Sequence, residues 1–260
     1  MMRGLLIRGM LAGIVAGLLA WGFAYVFGEP EVRSAISFEE AKAAEEAPPV
    51  EPGHDAGAAG HAAAHEEEEE VVSRDVQSSV GLLTGVGVYG IAVGGLFALV
   101  FAVAYGRLGP FGARATAGLL AFAGYVAVVL VPFLKYPAQP PAVGDPDTIS
   151  ERTAQYFGLI AISILLAIGA AYLARQYAPR IGAGNAVLAA VVGYIVVVAL
   201  IALALPSPET VPDGFSATVL WRFRVASLGV QAVLWATFGV LFGYLAAKVV
   251  ERRPVAPSTA

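Results

Sequence analysis

IGAGNAVLAAVVGYIVVVALIALALPSP, residues 181–208, contains no Asp, Glu, Lys, Arg or His. About 20 consecutive apolar residues suffice for a helix to cross the hydrocarbon core of a bilayer, and this run exceeds that length. Five more stretches free of Asp, Glu, Lys and Arg flank it in the chain: between Arg8 and Glu29, Val76–Gly106, Ala115–Leu134, Thr153–Ala174 and Val225–Ala247. Composition agrees, with 58% hydrophobic residues, 14% charged residues and a mean hydropathy of +0.72. An ordinary globular chain carries about 25% charged residues. The reading is an all-α polytopic integral membrane protein with about six transmembrane helices and no room for a second, soluble domain.

The chain divides accordingly. Residues 1–28 are the first transmembrane helix, and 29–75 form an acidic extracytoplasmic loop rich in His and Glu, largely disordered. Residues 76–250 are a five-helix membrane bundle with a Pro/Asp-rich outer loop at 135–152, and 251–260 are a cytoplasmic tail. The apolar run Met10–Phe27 outlasts the ~7–15 residues of a signal-peptide core, and no Ala-x-Ala site directly follows it, so the first span is expected to be a retained anchor. With no cysteine, disulfides and thiolate metal sites are excluded.

Orientation follows from Lys and Arg, which cytoplasmic flanks retain while acids contribute little. With six spans, one side collects Arg3, Arg8, Arg107, Arg114, Arg175, Arg180, Lys248, Arg252 and Arg253 against the single acid Glu251. The other side holds seven bases and nineteen acids. Both termini are therefore expected in the cytoplasm. The outer face is acidic and concentrates cations by its field, without distinguishing one element from another.

Small residues recur within the spans. Gly9, Gly13 and Gly17 form two overlapping GxxxG steps, followed by Gly81 with Gly85, Gly90 with Gly94, and Gly239 with Gly243. Such strips allow close backbone approach, which drives helix association in lipid; exposed carbonyls along them also offer an ion route. The charge-free cores contain no His, so the proton-relay and ion-site residues of many pumps are missing. Their polar residues include Thr84, Thr116, Ser163, Asn185, Ser227, Gln231, Thr237 and several tyrosines. No nucleophile–base pair or metal triad lies at this depth, and there is no phosphate-binding loop. An enzyme is not expected, nor a nucleic-acid partner.

Two outer loops bracket candidate ligands. In PFLKYPAQPPAVGDPDTISERT, residues 132–153, five prolines impose a stiff, non-helical path. Thr148 and Glu151 read as a capping box opening the next helix. Asp145, Asp147 and Glu151 place three carboxylates within seven residues, either an oxygen-rich cation entrance or turn and cap chemistry. Before the last span, Trp221-Arg222-Phe223-Arg224 suits an interfacial anchor with snorkelling cations, two charges that could pair with Asp145 or Asp147.

GHDAGAAGHAAAHEEEEE, residues 53–70, holds all three histidines. His54, His61 and His65 would share one helical face, and imidazole suits cobalt, nickel, copper and zinc. Gly53, Gly57 and Gly60 weaken a helix here, and the surrounding composition reads as disordered. The expectation is loose collection of a divalent metal rather than a formed cage. Residues 29–46, upstream, read as a short amphipathic helix.

FLKYPAQPPAVGDPDTI resembles the signature of the CbtA family of proposed cobalt transporter subunits. GEPEV after the first span, VYGIAVGGLFALVFAVAYGRLG in the second and LWRFRVASLG entering the last are also similar to it. The resemblance implies cobalt uptake for cobalamin synthesis at the bacterial cytoplasmic membrane. It also implies a small single-span partner of a second type, with a histidine-rich metal-binding tail. The expected function is a permease subunit with cobalt(II) or another divalent metal as transported substrate and no cofactor. The alternative is a non-transporting scaffold presenting an outer metal-gathering loop. Homo-oligomerisation stays open.

Overall fold

The computed structural model describes residues 2–46, 73, 76–144, 148–206 and 211–251. These fold into helices with no strand among the described residues. They are α1 (Met2–Phe27), α2 (Glu29–Glu46), α3 (Gln77–Ala104), α4 (Ala113–Lys135), α5 (Ile149–Ile181), α6 (Ala183–Ala204) and α7 (Ala217–Val250). All but α2 are long and apolar enough to cross a membrane, so the chain is a multi-pass membrane protein. The helical form follows from the solvent: in hydrocarbon each backbone N–H and C=O needs a partner within the segment, which a helix supplies.

Helices α1, α3, α4 and α7 make a close-packed bundle. α1 lies antiparallel on α3, glycine to glycine. A Cβ at Gly9 would fall on the Gly94 carbonyl oxygen, and one at Gly13 on that of Gly90. In return a Cβ at Gly90 would stand 2.6 Å from the Gly13 oxygen, and one at Gly17 3.1 Å from Gly87 Cα. Ala12, Ala16 and Ala20 fill the same face of α1 and are fully buried. The pair Gly239 and Gly243 brings α7 onto Ala121 and Ala117 of α4. The step Gly81–Gly85 does not work this way, because a Cβ at Gly85 would meet nothing within 4 Å.

Behind the glycine strips, Phe97, Phe101, Trp235, Phe238 and Phe242 form one aromatic cluster. Phe97 stacks on Phe238 at 5.5 Å between centroids and meets Phe242 edge-on at 5.3 Å. Phe101, Phe238 and Phe242 have no exposed surface.

Three spans contain a wide π-helical stretch: Gln77–Gly81, Tyr125–Leu130 and Phe238–Phe242. The second has a sequence cause. Pro132 lacks an N–H and its ring opposes the carbonyl four residues back, and a wide turn just upstream is one way a helix absorbs that conflict.

Helices α5 and α6 form an antiparallel hairpin outside the bundle. Gly182, with φ +85°, is the one residue between them, a backbone setting that glycine adopts without steric cost. α5 has 33 residues, about 50 Å of helix, and so outreaches a hydrocarbon core of about 30 Å. The hairpin joins the bundle through a small second core of Val131, Tyr136 and Leu159, with Tyr194, Val198 and Ile201 packed against it.

At the basic end the two arms of the bundle are tied by Glu251, whose Oε1 accepts from the Ala113 amide at 2.7 Å. The carboxylate thereby caps the N-terminus of α4, where orphan amides and the helix dipole favour negative charge. At the opposite end α2 packs across α7. Phe38 meets Phe215 edge-on at 5.1 Å, and Glu31 approaches Arg222 at 3.9 Å.

Candidate functional site

Of the residues expected to gather metal, His54, His61, His65, Asp145 and Asp147 lie outside the described residues. Glu151 is described. It sits exposed in the first turn of α5 and accepts from Gln155 Nε2 at 2.8 Å. It also faces Tyr136, whose phenol is held above its ordinary pKa first by burial and then by the Glu151 charge. Thr148 occupies the N-cap position, but its side chain makes no capping hydrogen bond, so the expected capping box does not form. Among the described residues no group of three His, Cys, Asp or Glu side chains is placed to hold a metal ion.

The proline-rich connector between α4 and α5 is held against two spans. Arg224 Nε of α7 donates to the Ala138 carbonyl at 3.3 Å, and Arg152 Nη1 of α5 donates to Gln139 Oε1 at 3.1 Å. Val143 N closes a turn onto the Pro140 carbonyl at 3.3 Å. Ala142 holds φ +65° in its third position, a conformation that turns usually reserve for Gly or Asn. The strain of an L-residue there, of order 1–3 kcal/mol, is sustained by the fixed neighbours on either side. Composition carried no signal for it, since Ala is among the least expected residues at such a site.

The partners that sequence suggested for the arginines at the start of α7, Asp145 and Asp147, lie outside the described residues. Helix α7 begins at Ala217, so Arg222 and Arg224 lie on its first two turns. Arg222 approaches Glu31 at 3.9 Å, and Arg224 turns to the connector. Glu29, at the junction of α1 and α2, is 8% exposed and meets Arg33 at 3.3 Å.

At membrane depth the polar side chains collect along the seam between bundle and hairpin. The Gln231 side chain of α7 lies within interaction range of the Tyr89 hydroxyl of α3. Tyr156 of α5 is close enough to Tyr89 for the two hydroxyls to interact electrostatically. Gln231 leaves its buried amide Oε1 without a hydrogen-bond partner, an uncompensated acceptor of the kind that costs about 1–3 kcal/mol. Further along, Tyr136 donates to the Pro206 carbonyl at 3.4 Å. Ser163 and Tyr194 share a 2.8 Å hydrogen bond inside the hairpin, with Ser163 fully buried.

Ser227 stands one turn from Gln231 on the same helix but does not join it, since its hydroxyl donates to the Phe223 carbonyl at 2.9 Å. Thr237 and Thr84 likewise bond to their own helices, at 2.7 and 2.8 Å. The seam is therefore a tyrosine–glutamine cluster from three spans. Gln231 was legible as a polar residue in an apolar run, whereas Tyr89 and Tyr156 had no sequence signal separating them from interfacial tyrosines.

A family model described as probable cobalt transporter subunit (CbtA) matches residues 2–247. No curated protein and no solved structure matches.

Proposed function

Because the chain belongs to the CbtA family of probable cobalt transporter subunits, we propose that it is the membrane permease subunit through which cobalt(II) enters the cell for cobalamin synthesis. The observation that carries this reading is the match over residues 2–247, which takes in five spans and nearly all of the sixth.

The charge distribution supports a direction. Arg8, Arg107, Arg114, Arg175 and Lys248 fall at one end of the antiparallel spans, and the acidic residues gather at the other. By the retention of Lys and Arg on cytoplasmic flanks, the basic end faces the cytoplasm of a bacterial inner membrane and the acidic end faces outward. His54, His61, His65, Asp145, Asp147 and Glu151 then lie on the side where the cation arrives. Weak capture by imidazoles and carboxylates suits delivery, since a tight cage would hold the ion it is meant to pass on. A transporter subunit implies a partner, and a single-span protein with a histidine-rich tail would hand metal to this face.

Desolvation is the main physical obstacle, because a divalent ion stripped of water in an apolar bundle is costly unless oxygens replace its shell. The Gln231 Oε1 and the hydroxyls of Tyr89 and Tyr156 are the oxygens this fold brings together at depth. We assign the route to that seam, with the Pro-rich connector at its outer mouth.

One observation favours the second reading, a scaffold that presents the outer loop without moving ions. Ser163, Ser227, Thr84 and Thr237 are each already hydrogen-bonded within or between helices, which leaves few free ligands at depth.

Radiolabelled cobalt uptake in a cobalt-permease-deficient bacterium separates the two. The full chain with its partner is expected to raise uptake. Deleting residues 53–70 should lower apparent affinity, and Gln231→Leu should lower the maximal rate about tenfold while leaving expression unchanged. Uptake at the empty-vector level with partner present would leave the scaffold.

A further inference from the structure

The face between α4 and α7 carries a recess that the transport reading does not use. It holds a cavity of about 530 Å³, within the range of small-ligand sites. Its floor is made by the small residues Gly118, Ala121 and Gly239, and its walls by Phe122 and Val240, which are 70% and 77% exposed. Small residues meeting across a helix pair normally close the gap between helices. Here the helices do meet, a Cβ at Gly239 lying 3.5 Å from Gly118 Cα, but a Cβ at Gly118 itself would meet nothing within 4 Å, so the recess opens outward above that contact.

One end of the recess is charged. Arg114 lines it and lies 5.3 Å from the centre of the Tyr244 ring, while Lys248 Nζ approaches the same ring at 4.3 Å. Two cations thus converge on one aromatic side chain at the basic end of the bundle. Arg114 has no carboxylate partner among the described residues. The nearby acid, Glu251, has Oε1 engaged by the Ala113 amide at 2.7 Å.

We propose that this recess binds an anionic phospholipid, with the phosphate held by Arg114 and Lys248 and an acyl chain lying over Gly118, Ala121 and Gly239. A guanidinium is suited to phosphate oxygens, and basic pockets between transmembrane helices hold anionic headgroups. Size argues against a helix as occupant, since a helix with its side chains is about 10–12 Å across and would need a furrow along the whole span. Charge argues against a zwitterionic lipid, whose headgroup would bring a cation of its own beside Arg114. A lipid there would bridge α4 to the end of α7, next to the Glu251 cap.

The test is native mass spectrometry of the full-length protein in detergent, titrated separately with phosphatidylglycerol and with phosphatidylcholine of matched chains. Phosphatidylglycerol is expected to bind about tenfold more tightly, from the attraction of two basic side chains. The double variant Arg114→Gln, Lys248→Gln should abolish that preference. Gly118→Leu, which projects into the open recess, should weaken both lipids together while the variant elutes as the native protein does. Equal binding of the two lipids, a preference that survives the double variant, or unchanged binding in Gly118→Leu would each overturn the proposal. So would a photoreactive residue at position 118 that labels a polypeptide in cell membranes, since the recess would then belong to a partner helix.

Discussion

Helices α1 and α6 look alike as sequences, both long, uncharged through the middle and rich in Ala, Val, Leu and Ile. They differ in what surrounds them. In the apolar stretch of α1, 33% of residues are buried within the protein, against 6% in α6, although the α6 stretch is the more apolar. Hydrophobicity therefore does not decide which helix enters the bundle. Lipid tails are as apolar as leucine, so burying apolar area against another helix yields little, and close packing of small residues drives association. α1 presents Gly9, Gly13 and Gly17 in register with Gly94, Gly90 and Gly87. α6 has Gly184 and Gly193, and a Cβ at either would meet nothing within 4 Å.

The sharpest way to break this contrast is to fill the α1–α3 contact. Gly13→Leu would drive a side chain into the backbone of α3, where even a Cβ collides with the Gly90 carbonyl. Overpacking a tight core costs about 1–3 kcal/mol and more where only backbone can move. The expected outcome is loss of most of the monodisperse protein in fluorescence-detected size exclusion. The equivalent change in the hairpin, Gly193→Leu, should leave the profile intact.

Next in size is a truncation at the aromatic cluster. Phe238 is fully buried and stacked on Phe97, so Phe238→Ala opens a cavity with an expected cost of about 3 kcal/mol. Leu200→Ala on α6, 61% exposed to the surroundings, should fall within about 0.5 kcal/mol of the parent. Thermal unfolding in one detergent compares the two directly. Equal shifts would mean that α6 is covered by a further protein surface in the detergent-solubilised form.

The smallest effect concerns what holds the hairpin itself together. Tyr194→Phe removes the 2.8 Å bond to Ser163. Intramembrane hydrogen bonds of this kind average about 0.6 kcal/mol. The global unfolding temperature should hardly move. Exchange of the hairpin, read by cross-linking between cysteines placed on α5 and α6, should rise about threefold, which is that free energy expressed as a population ratio.

The glycine strips of α1, α3 and α7 were legible because their spacing has one geometric meaning on a helix. The step Gly81–Gly85 has the same spacing, yet a Cβ at either glycine would meet no neighbouring helix within 4 Å. The difference lies in what stands opposite, which no local pattern records. The candidate site was less legible still. The carboxylates and imidazoles singled out from the loops lie mostly beyond the described residues. The seam the fold does assemble takes Tyr89, Tyr156 and Gln231 from three spans, between 67 and 142 positions apart. A tyrosine in a span reads the same whether it meets lipid, a neighbouring carbonyl or a glutamine.

The sequence by itself determined the helices, their number of crossings and the segregation of charge between the two ends. Those properties follow from one-dimensional facts, namely the length of apolar runs and the cost of carrying charge or unpaired backbone through hydrocarbon. Only the tertiary structure decided which helices pack and which stand apart. It also placed Glu251 on the start of α4, Arg224 on the connector, and Gln231, with its unpaired amide oxygen, near Tyr89. In a bilayer the solvent gives all apolar faces nearly the same energy. The choice among them therefore falls to shape complementarity and a few hydrogen bonds, and those exist only between segments distant in the chain.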